Sequence, residues 1–209
     1  MQKSNLFLVS APSGTGKSTL INSVLDKAAQ SNFPLELSIS YTTRAPRVGE
    51  TDSNHYFFVS KEEFIAKKEA NFFLECAEVH GNWYGTSVDF VKSKLDEGIS
   101  LILEIDVQGF RLIHDLAFNY ESIFILPPSI QALEDRIKQR GDNDLSVINL
   151  RLENAKKELM CASEYKNLVI NNLFDEASEV LYQIITKETP VNEQNRQELQ
   201  LFLAQLLSS

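Results

Sequence analysis

The sequence predicts an α/β fold, a parallel sheet flanked by helices, and three observations predict it. Short apolar runs bounded by turn residues recur at 6–9, 101–105, 123–126 and 168–170, and read as strands buried on both faces. Helical patterns fill most of the chain between them, which is the rhythm of strand-crossover-strand units. A glycine-rich stretch, 11–18, stands where the first apolar run gives way to the first helical pattern. At 209 residues and 43% hydrophobic content the chain can bury a full core, and it reads as one domain spanning 1–209.

The helices are predicted over 17–29, 62–69, 88–97, 107–116, 130–140, 145–162 and 176–187. Ser60 and Glu63 have the spacing of a capping box, and Ser129, after Pro127 and Pro128, can cap the helix that follows. Gly98 and Gly141 stand where a left-handed residue ends a helix. Between 37 and 87 the rhythm breaks. Aromatic-rich strands at 56–59 and 72–79 surround a polar turn at 49–54, so this stretch reads as an insertion with its own task. The last segment, 192–207, is amphipathic, with Leu199, Phe202, Leu203 and Leu206 on one face, and should dock on the body of the protein or on another subunit.

A net charge of -9 and a sequence pI near 4.9 argue against broad binding to nucleic acid or anionic membranes, so any anionic ligand must meet a local basic cluster. Cys76 and Cys161 have neither metal-ligand nor redox spacing. The chain reaches its first strand pattern within a few residues, and no apolar stretch is long enough to span a bilayer; a cytoplasmic protein is the expectation.

Residues Ala11-Pro12-Ser13-Gly14-Thr15-Gly16-Lys17-Ser18 match the phosphate-binding P-loop pattern in the context it requires, after a strand and opening a helix. Glycines let backbone N–H groups turn inward around phosphate oxygens, and the helix N-terminus adds partial positive charge. Lys17 would bridge the β- and γ-phosphates of ATP, and Ser18 would offer its hydroxyl to Mg²⁺. Ala11 replaces the usual first glycine, which requires a negative φ there.

Within the insertion, Arg44 and Arg47 lie three residues apart beside Pro46, and two guanidinium forks can grip one phosphate. Surface arginines are as often simply solvated, so the pair alone decides nothing. The blocks SAPSGTGKST, SISYTTRAPR, GETDSNHYFF, FLECAEVHGNWYGT, LEIDVQG and PPSIQALEDRIKQRG, in that order, resemble the bacterial guanylate kinases from about residue 6 to 186. The resemblance implies a core of about 1–36, 90–128 and 166–209, a GMP-binding insertion of about 37–89 and a helical lid of about 129–165. It implies Mg²⁺-dependent transfer of the ATP γ-phosphoryl group to GMP or dGMP.

By position, Arg44 and Arg47 would bind the GMP phosphate with the hydroxyls of Tyr56 and Tyr84, Glu75 would read the base, and Ser40 and Thr86 would bond other guanine atoms. A carboxylate can accept both N1–H and N2–H₂ of guanine, whereas adenine would face it with a lone pair. Thr86 stands where the family often has Ser, so an added methyl group must fit. Asp106 would hold GMP or the metal-water shell, or merely cap the helix that begins near Val107; Glu104 stands where many members have Asp.

Arg136 and Arg140 fall four apart on one helix face, with Arg151 on the next helix. In isolation they read as solvated charges, paired with Glu134 or Asp144; by resemblance they are the lid arginines that close on ATP. Asn171 matches a family position at the adenine end, and Asn172 departs from the usual Asp. His55, His80 and His114 are scattered and receive no role; Trp83 packs either the GMP site or the insertion's core. A non-enzymatic relative would be expected to lose loop or acceptor residues, and this chain keeps Lys17, Ser18, Arg44, Arg47 and Glu75 together.

Overall fold

The computed structural model describes residues 4–79, 81–114, 119–139, 145–186 and 193–208. In chain order it contains β1 (Leu6–Ser10), α1 (Lys17–Gln30), β2 (Leu35–Leu37), β3 (Ser40–Thr42), β4 (Tyr56–Phe58), α2 (Lys61–Glu69), β5 (Phe73–Val79) and β6 (Asn82–Ser87). There follow α3 (Val88–Asp96), β7 (Ser100–Glu104), α4 (Val107–His114), β8 (Tyr120–Leu126), α5 (Ile130–Gln139), α6 (Leu145–Met160), β9 (Asn167–Ile170), α7 (Phe174–Thr186) and α8 (Glu193–Ser208). The class is the expected one, α/β with a parallel sheet and helices packed on it. Contacts divide the chain into two compact units, Met1–Leu6 with Leu35–Tyr120 and Phe7–Pro34 with Glu121–Ser209.

Strand β1, which from Phe7 onward belongs to the second unit, is buried along its whole length; within that unit β8 pairs in parallel with β9, Ile123 opposite Asn167 through Leu126 opposite Ile170. Helix α1 buries Leu20, Ile21, Val24 and Ala28, spaced so that they share one face, and packs along α7. The Ser23 and Ser178 hydroxyls meet at 2.8 Å, and Lys27 pairs with Glu179 at 2.7 Å. Ser129 caps α5 as expected, its Oγ accepting from the Ala132 N–H at 3.0 Å. Helix α8 packs on β9 and α6 and buries Leu203 and Leu206, so its apolar face docks on the protein's own body.

In the first unit β2 pairs in parallel with β7, and a separate four-stranded sheet runs in the order β4-β3-β6-β5. Only β3 and β4 of that second sheet pair in parallel; β6 runs antiparallel to both its neighbours. The sequence pattern did not mark β2, β3 or β6: β2 and β3 are three residues each, and β6 mixes Trp83 and Tyr84 with polar and small residues and shows no clean alternation of apolar and polar positions. The Ser60 hydroxyl accepts from the Glu63 N–H at 3.1 Å to start α2, and Gly98, at φ +82°, follows α3. Arg140, Gly141, Asp144 and His80, together with the predicted helix ends at 115–116 and 187, lie outside the described residues.

Candidate active site

The loop after β1 carries two glycines in the left-handed region, Gly14 at φ +90° and Gly16 at φ +94°. Gly16 is the residue that precedes α1, and the first turn of that helix contains no acidic residue. The turn is closed by the Thr15 N–H donating to the Pro12 carbonyl at 3.1 Å and by Leu20 N–H donating to Gly16 at 3.1 Å. Among the described residues only Asn32, Ser53 and Asn71 are non-glycine residues with positive φ, so Ala11 meets the condition set for it. Lys17 is half-buried and Ser18 exposed, both in the first turn.

This loop is held from beneath. The Thr15 carbonyl accepts from Asn171 Nδ2 at 2.7 Å and from Arg136 Nη1 at 3.1 Å; Arg136 Nη2 also donates to the Asn171 carbonyl at 3.4 Å. Glu134, considered as a partner for the helix arginines, instead pairs with Lys138 at 2.6 Å. Arg151 is half-buried on α6.

A second cluster belongs to the four-stranded sheet and the segments around it. Arg44 donates through Nη1 to the Ala45 carbonyl at 2.9 Å and through Nη2 to Glu50 Oε1 at 2.9 Å, and its guanidinium lies 5.4 Å from the centre of the Tyr56 ring. The other oxygen of Glu50 accepts from the Arg47 N–H at 2.7 Å. These donors, Arg44 first, hold the Glu50 carboxyl down at about 2. The bonds to Glu50 and Tyr84 outweigh burial and raise Arg44 further. The Tyr56 and Tyr84 rings meet edge to face at 6.1 Å, and Tyr56 is raised by burial first and by the charge of Glu104 next. The Arg47 side chain is exposed.

Deeper in the same unit, Glu75 on β5 is 7% exposed, and its Oε1 accepts from the Thr86 hydroxyl on β6 at 2.7 Å. The Ser40 hydroxyl lies 3.5 Å from that of Thr86, whose methyl is accommodated in a fully buried position. Burial, aided by the charge of Asp106, pushes the Glu75 carboxyl up to about 7. Asp106 Oδ1 accepts from the Gly109 N–H at 2.8 Å, so Asp106 caps α4 as well as facing Glu75. A Cβ on Gly109 would lie 3.1 Å from Glu75 Oε2 and 3.4 Å from Asp106 Oδ1. Trp83 packs with Phe64 at 5.8 Å and under Lys68 Nζ at 4.1 Å, in the core of the insertion.

Two residues here escaped the sequence reading. Glu50 sits in the polar turn that the pattern marked only as a loop, and its charge beside two arginines was the available signal. Gly109 is a glycine inside a helix, which is disfavoured unless space is needed.

A glycine loop leading from a strand into a helix N-terminus gives the class, a P-loop protein of the nucleotide-binding kind, and the chain also carries a buried carboxylate and an arginine-tyrosine cluster. The comparisons narrow it. The guanylate kinase family model matches residues 3–188. The chain is 46% identical over 190 residues to a guanylate kinase of Hahella chejuensis, covering 90% of this chain and 88% of that one. It is 46% identical over 183 residues to a guanylate kinase of Cupriavidus metallidurans, with 87% and 82% covered. Its fold matches the crystal structure of guanylate kinase from Anaplasma phagocytophilum with a TM-score of 0.71 at 30% identity, covering 90% and 87%. The chain belongs to the guanylate kinase family.

Proposed function

We infer that the protein transfers the γ-phosphoryl group of ATP to GMP, giving ADP and GDP, and accepts dGMP as well. The observation that carries the choice of acceptor is Glu75: a buried carboxylate whose hydrogen-bond donors come from Thr86, a hydroxyl and a main-chain N–H, and whose charged neighbour is another carboxylate. Such a group is costly to ionise until a ligand supplies donors, and guanine's N1–H and N2–H₂ are two donors side by side. Thr86 and Ser40 complete the base pocket, with Asp106 alongside, and Arg44, Arg47, Tyr56 and Tyr84 hold the GMP phosphate. None of the residues matched to the family's GMP site demands the 2′-hydroxyl, so this reading includes the deoxy substrate.

On the donor side, the N–H groups of residues 13–18 surround the β-phosphate, and Lys17 neutralises charge on the β- and γ-oxygens. A phosphate oxygen of GMP attacks the γ-phosphorus in line, and the bond to the β,γ-bridging oxygen breaks, leaving ADP. Positioning and fixed positive charge are all this step requires, so no covalent nucleophile is assigned. Arg136, Arg140 and Arg151 supply further charge to the moving group.

Among the described residues no group of three His, Cys, Asp or Glu side chains could hold a metal. The exposed hydroxyl of Ser18 is one hard oxygen donor at the head of α1, which fits Mg²⁺ bound chiefly through nucleotide oxygens and water. Held there, Mg²⁺ would supply neutralisation of phosphate charge. No described helix is long and apolar enough to cross a membrane, and the cytoplasm, where both nucleotides are made and used, is the location this reading carries.

The test is ADP release from Mg-ATP with GMP, dGMP, AMP, CMP, UMP or no acceptor. Turnover confined to GMP and dGMP supports the reading. Turnover with a different monophosphate would overturn the base assignment, and none at all would overturn the activity.

A further inference from the structure

We propose that Asn171 is a positioning residue of the phosphate loop, acting on the donor's triphosphate through Thr15 and not on its adenine base. Asn171 follows β9 and is 5% exposed. Its own N–H donates to the Leu126 carbonyl, the last residue of β8, at 2.8 Å, so its main chain is tied to a strand. From that anchor its amide Nδ2 donates to the Thr15 carbonyl at 2.7 Å.

Thr15 needs such a partner. It lies between Gly14 and Gly16, both in the left-handed region, and the glycines that permit this conformation offer no side chains to hold it. In a trans peptide the carbonyl of one residue and the N–H of the next point in opposite directions. With the Thr15 carbonyl drawn toward Asn171, the Gly16 N–H is therefore aimed away from it, on the face where a phosphate would be bound. The fit is close: a Cβ on Gly16 would fall 2.7 Å from Asn171 Nδ2, so the amide fills the space beneath the loop.

Arg136 reaches the same carbonyl, but it is charged and long. A guanidinium that turns to the migrating phosphoryl group leaves this bond, whereas the short neutral amide, fixed by its backbone to β8, stays. The loop then keeps one donor on Thr15 throughout the reaction.

This inference rests on reading residues 11–18 as a triphosphate cradle, and the experiment separates the two. Calorimetry measures binding of Mg-ATP, Mg-CTP, inorganic tripolyphosphate and GMP to the wild type, Asn171→Ala and Asn171→Asp. Both variants should bind ATP, CTP and tripolyphosphate about tenfold more weakly, by the same factor for each, with GMP affinity within about twofold. Unchanged GMP binding also reports that a variant is folded, and Asn171→Asp, equal in size and lacking the donor, serves if the alanine form is not. A loss confined to ATP, or ATP affinity retained in Asn171→Asp, whose carboxylate can accept from adenine's amino group, would make Asn171 a base reader and overturn the proposal. A wild type that fails to bind tripolyphosphate would overturn the cradle reading itself, and this inference with it.

Discussion

On the proposed reading, the polar groups offered to a ligand around residues 11–18 are mostly backbone N–H groups, whereas around residues 40–106 they are side chains delivered by several separate elements. The first arrangement is local. Side-chain identity matters little at Ala11 or Ser13 so long as the glycines keep their φ values and the loop stays braced. The second is built from long-range pairs such as Thr86 with Glu75 and Tyr56 with Tyr84, and it holds a carboxylate out of water. A backbone cradle recognises charge common to every nucleoside triphosphate, whereas a buried side-chain pocket can reject a base that leaves its acceptor unpaired.

The sharpest way to break this comparison is at Lys17. Lys17→Ala should lower kcat/KM for ATP about 10³-fold and leave the KM for GMP within about threefold, as expected when a charge aimed at the transferring group is lost. An equal rise in both KM values would mean that the two regions do not act separately.

Next comes Glu75→Gln, which should lower kcat/KM for GMP roughly 100-fold without changing the KM for ATP, the size expected from two charge-assisted hydrogen bonds. Its pH dependence sharpens the case. Because the folded carboxyl is raised to about 7, guanine binding should tighten as pH rises through that value, and the variant should lack this component. Stability runs the other way. The folded pKa lies above the unfolded value of 4.5, so Glu75 costs nothing below that value, costs progressively more as pH climbs to about 7, and a constant amount beyond. Thermal melts should find Glu75→Gln more stable than wild type at about pH 8, by a margin that vanishes near pH 4.

Arg44→Ala should raise the KM for GMP about 30-fold while ATP binding holds, the loss of one charged partner of a phosphate. If ATP binding fell equally, Arg44 would belong to neither region alone. The smallest effect is expected at Gly109→Ala. Alanine in a helix interior ordinarily gains about 1 kcal/mol over glycine. Here the new methyl meets Glu75 Oε2 at 3.1 Å, so melting should show little of that gain, and the KM for GMP should rise severalfold.

The sequence by itself determined the α/β class, the buried strands β1, β7, β8 and β9, the glycine-rich loop between β1 and α1, and the amphipathic face of α8. Each is written in neighbouring residues: a strand or helix by its hydrophobic period, the loop by glycines whose φ values a motif anticipates. The family blocks named Arg44, Tyr56, Glu75, Tyr84 and Thr86 individually, yet nothing local marked β6, the strand that carries two of them. Only tertiary structure decided that Glu75 finds a hydroxyl and not a cation, that Glu50 spans Arg44 and the Arg47 amide, and that Gly109 leaves space beside Glu75. It also decided that Asn171 and Arg136, distant from Thr15 in the chain, meet on its carbonyl. The physical reason is range: φ and amphipathic period are fixed by adjacent residues, whereas burial, a carboxylate's ionisation and a partner for a given carbonyl depend on which remote segments the fold brings within hydrogen-bond distance.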